Sequence, residues 1–172
     1  AHRLWRQVLW SVIGILLVAN LLLFATPLVG RSEYFVSLQQ LREDPAFSQM
    51  SAAHRFLNEQ VEQGKLVLLV GDAAVFDLKV PALYSTCFDS CIFEEMMKGK
   101  DAEQRRTALR EANISYVYVN WAEIRRYRST YGFSDFVTRE LIQNEFVQGQ
   151  QLLRPVLVPN LNPANGQVCE VR

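Results

Sequence analysis

Six polar residues follow segments of this sequence that are expected to form strands, and we call them the rim residues. In an open parallel sheet, ligands bind in the crevice beyond the carboxyl ends of the strands, so these side chains are expected to converge there. Carboxylates beside a guanidinium and an amide suit a polar ligand such as a sugar. The alternative interpretation, which we favour, is that they cap helices and fasten loops to the sheet. The rim residues are Asp72, Asp89, Asn120, Glu123, Arg126 and Tyr131.

The sequence predicts no catalytic residue and no cofactor. The turn at Gly71 has one of the three glycines that a dinucleotide-binding G-x-G-x-x-G turn needs. The patterns G-x-x-x-x-G-K-S/T, H-E-x-x-H and G-x-S-x-G do not occur. His54 has no cysteine or serine partner that the sequence implies. Asp72 and Asp77 are five positions apart, too loose a pattern to indicate paired acid–base chemistry or metal binding.

The small number of cysteines and histidines also argues against a metal site. Three cysteines, Cys87, Cys91 and Cys169, are too few and too irregularly spaced for a disulfide scaffold. One disulfide from Cys169 to either of the others and three free thiols are both compatible with the sequence. His2 and His54 are the only histidines, so we expect no zinc site.

Residues 8–29 form an uncharged apolar run of twenty-two residues that predicts a transmembrane helix. At about 1.5 Å per residue it reaches about 33 Å, enough to cross a hydrocarbon core of about 30 Å. A signal peptide would have a shorter apolar region, and a helix buried in a soluble protein would have a polar face. Because Arg3 and Arg6 precede the run, the positive-inside tendency places the N-terminus in the cytoplasm and residues 31–172 on the extracytoplasmic side.

The remainder predicts a connector over residues 31–50 and a small three-layer α/β domain over residues 51–172. Helical patterns alternate with short apolar runs, which favours a mostly parallel sheet covered by helices. Strands are predicted at residues 66–70, 80–84 and 115–119, and a C-terminal hairpin at residues 152–158 and 167–171. Helices are predicted at residues 50–63, 88–98, 101–112 and 134–148. The chain has 18 basic and 18 acidic residues, so it lacks the basic excess of a nucleic-acid-binding surface.

Several segments together resemble the C-terminal region of bacterial polytopic membrane glycosyltransferases of the GT-C class. They are the terminal apolar helix, K-L-V-L-L-V-G-D-A at residues 65–73, and Y-V-Y-V-N-W-A-E-I-R-R-Y at residues 116–127 with S-T-Y-G at 129–132. This group is related to dolichyl-phosphate-mannose mannosyltransferases and lipid A aminoarabinose transferases. The pattern N-W-x-E-I-x-R-Y…T-Y-G resembles planctomycete members in particular.

The resemblance implies a many-helix enzyme of the bacterial inner membrane that moves a sugar from a polyprenyl-phosphate donor. In such families the catalytic acid lies in the first external loop, and this chain has no counterpart of that loop, so by itself it is expected to be non-catalytic. Its implied partners are the bilayer, the other transmembrane helices of the same polypeptide, and a glycan or polyprenyl-phosphate sugar. The alternative is a single-span anchored α/β module that recognises a glycan or a protein partner.

Overall fold

The computed structural model describes residues 2–25 and 50–172, which belong to two separate compact units. The first unit contains helix α1 (His2–Ala25), in which most of the described large apolar side chains are exposed. Among the residues that the structure describes, no helix has both the length and the hydropathy needed to cross a bilayer. Residues 26–29 of the apolar run lie outside the described residues, as does the predicted connector up to residue 49.

The second unit is built on a five-stranded sheet of order β2–β1–β3–β5–β4. β1 is parallel to both β2 and β3, whereas β5 is antiparallel to both β3 and β4. The predicted mostly parallel sheet is therefore wrong, because the C-terminal hairpin joins the sheet next to β3 and makes it mixed. The hairpin itself is present. The strands are β1 (Leu66–Val70), β2 (Ala82–Tyr84), β3 (Ile114–Asn120), β4 (Leu153–Val156) and β5 (Gly166–Val171).

Helices cover both faces of this sheet, as the unbroken apolar run of β1 predicted. Alternate residues of a strand point to opposite faces, so β1 contributes to two cores. Val67 and Leu69 pack with α2 on one face, and Leu68 and Val70 pack with the remaining helices on the other. The helices are α2 (Ala52–Gln60), α3 (Ile92–Met97), α4 (Ala102–Glu111), α5 (Trp121–Thr130) and α6 (Arg139–Leu141), which continues as a π-helix (Ile142–Gly149).

Local hydrogen bonds set the helix ends. Two helices begin later than predicted, and the helix predicted over residues 50–63 ends earlier, at Gln60. The hydroxyl of Ser51 caps α2, and Asp101 caps α4 through a reciprocal capping box. The helix predicted from residue 134 begins only after Thr138, because the carbonyls of Ser134 and Val137 accept hydrogen bonds from Arg128. The helix predicted from residue 88 begins at Ile92, whose N–H donates to the hydroxyl of Ser85.

Candidate functional site

Asp72 and Asn120 connect the carboxyl ends of β1 and β3 through one side-chain hydrogen bond. Gly71 has a φ of +73°, which lets the chain turn immediately after β1. The buried Asp72 carboxylate accepts from the backbone N–H of Ala74 at 2.8 Å and from Nδ2 of Asn120 at 3.0 Å. Oδ1 of Asn120 in turn accepts from the N–H of Glu123 at 3.1 Å and caps α5. These two rim residues fasten a loop and a helix to the sheet.

Glu123 and Arg126 extend this arrangement along the surface of α5. Oε2 of Glu123 accepts a hydrogen bond from Nε of Arg126 at 2.9 Å, one helical turn away. The guanidinium also lies 4.7 Å from the centre of the Tyr127 ring. Because both partners are substantially exposed, the ion pair contributes little to the stability of the helix. It leaves two charged groups of opposite sign accessible beside Asp72 and Asn120.

His54, which the sequence did not single out as functional, is buried between two carboxylates. Its Nδ1 lies 2.6 Å from Oδ1 of Asp77, and its Nε2 lies 3.6 Å from Oδ2 of Asp72. The second distance is too long for a hydrogen bond, so Asp72 acts on the imidazole mainly through its charge. The ring also contacts Tyr118 edge-on at 5.9 Å between centroids. The sequence spacing gave no signal for this cluster, because the fold alone brings α2 against the turn after β1.

The charges in this cluster shift the titration of both partners. Burial acts to lower the pKa of His54, but the nearby Asp72 and Asp77 carboxylates outweigh it and raise the pKa above its ordinary value. Burial acts to raise the pKa of Asp72, but His54 and the N–H donors of Ala74 and Asn120 outweigh it and lower the pKa. An imidazole that is 2% exposed offers no atom to a substrate, so the cluster is a structural connection.

Asp89 and Tyr131 belong to a different place, beside a cavity of about 570 Å³ between the loop after β2 and the loop after α5. Asp89 lines this cavity, and its carboxylate accepts hydrogen bonds from the hydroxyl and the N–H of Thr86. Tyr131 packs against Phe88 at 5.6 Å between ring centroids, and both rings are largely exposed. The structure therefore divides the six rim residues into two groups. Asp72, Asn120, Glu123 and Arg126 lie together, and Asp89 and Tyr131 lie beside the cavity.

Three acidic side chains line the cavity, together with Lys98 and the thiols of Cys87 and Cys91. The hydrogen bonds from Thr86 lower the pKa of Asp89, and those from Lys98 and Ser134 lower the pKa of Glu94, so both carboxylates are ionised at neutral pH. Burial raises the pKa of the Cys91 thiol, which keeps it protonated. These groups are suited to hydrogen-bond the hydroxyls of a polar ligand.

Cys169 differs from the cysteines of the cavity because it is buried within the sheet. Cys169 lies within β5, and burial raises the pKa of its thiol to about 12. All three cysteines are free thiols, which settles the alternative that the sequence left open. Within residues 2–25 and 50–172, no group of three or more potential ligands is arranged to hold a metal ion.

Comparison with known proteins finds a similarity at the level of structure. No protein-family model matches the sequence, and no curated protein is similar enough to count as a relative. One similar solved structure is the C-terminal globular domain of an oligosaccharyltransferase from Archaeoglobus fulgidus, a crystal structure. It has 12% sequence identity and a TM-score of 0.46, and the match covers 70% of this chain and 94% of that chain. At this degree of similarity, no residue role or activity is transferred to this chain.

Proposed function

We propose that this chain is the extracytoplasmic C-terminal α/β domain, with its last membrane helix, of a GT-C-like glycosyltransferase that uses a polyprenyl-phosphate sugar donor. The observation that supports this most is the bond between Asp72 and Asn120, which lie 48 positions apart. Asp72 stands in the V-G-D-A part of the resemblance and Asn120 begins its N-W-x-E-I-x-R-Y part. The two segments that resemble the family are thus in contact in the folded domain. Their contact supports the proposal more strongly than two short matches in the sequence would.

The same proposal places α1 in the bacterial inner membrane, with its N-terminus in the cytoplasm and residues 31–172 outside. Exposed apolar side chains recur along the described part of this helix, including Trp10, Ile15 and Leu17. In water such a surface is unfavourable, and lipid or neighbouring transmembrane helices would remove it from water. The partners proposed for α1 are therefore the bilayer and the other membrane helices of the same polypeptide.

The role proposed for the α/β domain is to cover the active-site mouth or to hold an acceptor, without performing the chemistry. Asp72 is buried and already accepts two hydrogen bonds, and Glu123 is paired with Arg126. Neither carboxylate is placed to donate a proton to, or attack, a sugar in solution. This interpretation predicts that the catalytic acid lies elsewhere in the parent enzyme.

A transfer assay tests this function. Membranes that contain the full-length gene product are incubated with a radiolabelled polyprenyl-phosphate sugar, and we expect label to pass to an acceptor. The 172-residue chain alone should transfer none, because it lacks the catalytic loop. Transfer by this chain alone, or no transfer by the full-length product with any polyprenyl-phosphate sugar, would contradict the proposal.

A second candidate function is a membrane-anchored binding module, and the cavity beside Asp89 favours it. A volume of about 570 Å³ is in the range of small-ligand pockets, about 300–1,000 Å³, and the exposed Phe88–Tyr131 pair offers aromatic faces beside it. Such a surface suits a sugar with both hydroxyls and an apolar ring face. Glycan binding that is lost in Tyr131→Ala, in a chain whose full-length gene product transfers no sugar, would favour this function over the first.

A further inference from the structure

Three arginines surround a small cavity next to the start of α5. The cavity has a volume of about 220 Å³, and Arg125, Arg128 and Arg139 line it together with Trp121. Arg139 lies with its guanidinium 4.7 Å from the centre of the indole ring. Trp121 is buried, and its indole N–H has no hydrogen-bond partner among the described residues. The site therefore has a cationic wall beside a buried indole ring.

The guanidinium charges at this cavity are bound only to neutral acceptors. Arg125 donates to the carbonyl of Ala164 and to Oδ1 of Asn165, and Arg139 donates to the carbonyls of Pro163 and Ala164. Each arginine has five N–H donors, so both retain further donors after these contacts. In the described part of the chain, neither they nor Arg128 make a salt bridge to a carboxylate.

Repulsion within the cluster is also evident. Partial burial and then the neighbouring Arg125 lower the pKa of Arg139. Glu140, which also lines the cavity, offsets part of the positive charge but leaves an excess of it. A bound anion would remove this repulsion, because the guanidinium forks match the oxygens of a phosphate in pairs.

We propose that this arginine-lined cavity binds a phosphate group, either of a lipid headgroup or of a free phosphate. The cavity is smaller than the roughly 300–1,000 Å³ typical of pockets for drug-sized ligands, so it suits one phosphate rather than a whole sugar nucleotide. In this proposal Arg125 and Arg139, which hold the loop at residues 163–165, also bind the phosphate. The site does not depend on whether the chain belongs to a transferase.

Thermal unfolding with added phosphate tests this site. The full chain is kept in a phosphate-free maltoside detergent and titrated with inorganic phosphate, with dihexanoyl phosphatidic acid, and with acetate at equal ionic strength. We expect both phosphates to raise the unfolding temperature saturably, because a ligand that binds only the folded state stabilises it. Acetate should have a much smaller effect.

Three substitutions locate the binding. Arg125→Gln should weaken the apparent phosphate affinity about tenfold, since hydrogen bonds to charged groups are worth that factor or more. Glu140→Gln should tighten it, and it removes no hydrogen bond made by the described residues. Arg55→Gln, which changes an exposed arginine on α2, should leave it unchanged and serves as the matched control.

The outcomes separate the possible sources of the phosphate. Phosphatidic acid that binds at least about tenfold more tightly than inorganic phosphate identifies a lipid headgroup, and equal affinities identify a free phosphate. Either result supports the site. No saturable effect beyond that of acetate, or an affinity that neither Arg125→Gln nor Glu140→Gln alters, would overturn it.

Discussion

Gly71→Ala is expected to destabilise the α/β domain by about 3 kcal/mol, through strain and steric overlap together. Gly71 has a φ of +73°, which an alanine adopts at a cost of about 1 kcal/mol. A Cβ atom at this position would also overlap Cγ1 of Ile124 and lie 3.1 Å from the carbonyl oxygen of Asn120. Overpacking of this kind adds about 1–3 kcal/mol, because backbone and a buried side chain must move. Urea unfolding followed by circular dichroism measures the effect.

Gly64→Ala is the matched control for this prediction. Gly64 has a similar φ of +83°, but a Cβ atom there would meet nothing within 4 Å. We expect this control to cost about 1 kcal/mol, the conformational part alone. Gly71→Ala should also cost less in an Ile124→Ala background, since the overlap with Cγ1 is then absent. Equal effects at the two glycines would show that the turn after β1 is not closely packed against α5.

The second large effect is the loss of the buried carboxylate of Asp72. Asp72→Asn removes the charge beside His54, and we expect it to cost about 2–4 kcal/mol at pH 6, because separating a buried charge from its partner is strongly destabilising. It also removes a charge that raises the pKa of His54. Asp89→Asn is the control, because that carboxylate is exposed and bonds only to Thr86 within its loop. Urea unfolding at pH 6 distinguishes the two variants.

The same cluster predicts how stability depends on pH. The pKa of His54 is raised above 6.5, so its contribution is fully present below pH 6.5 and is lost as pH rises through the raised value. The pKa of Asp72 is lowered below 3.8, so its contribution is present above pH 3.8 and is lost as pH falls through the lowered value. Stability contributed by this cluster should therefore be greatest between these limits. In His54→Gln, the decline of stability at higher pH should be absent. An unchanged decline in that variant would show that His54 is not the group responsible.

The sequence predicted those parts of the fold that depend on local patterns. The apolar run of β1 indicated a strand covered on both faces, and the helical pattern of residues 101–112 indicated α4. In both cases the residues that decide the structure are close together in the chain. The interpretation of Asp72 and Asn120 as loop and helix anchors agrees with their hydrogen bonds for the same reason, because each follows a strand directly.

Features that depend on distant contacts could not be predicted from the sequence. The sheet is mixed because β5 pairs with β3, and no local pattern specifies that neighbour. His54 and Asp77 are 23 positions apart, so the sequence spacing did not indicate that they are in contact. The start of α6 depends on Arg128 binding two carbonyls that a longer helix would have used. The division of the rim residues follows likewise from where the loops after β2 and α5 pack.

Protease accessibility in bacterial spheroplasts tests most directly whether α1 holds the α/β domain on the outer side of the membrane. The chain carries one tag at its N-terminus and another at its C-terminus. We predict that protease added outside removes the C-terminal tag and spares the N-terminal tag, that lysis exposes both, and that alkaline carbonate leaves the chain in the membrane pellet. Release of the chain by carbonate would contradict the insertion of α1 in the membrane. Protection of the C-terminal tag until lysis would contradict the proposed orientation.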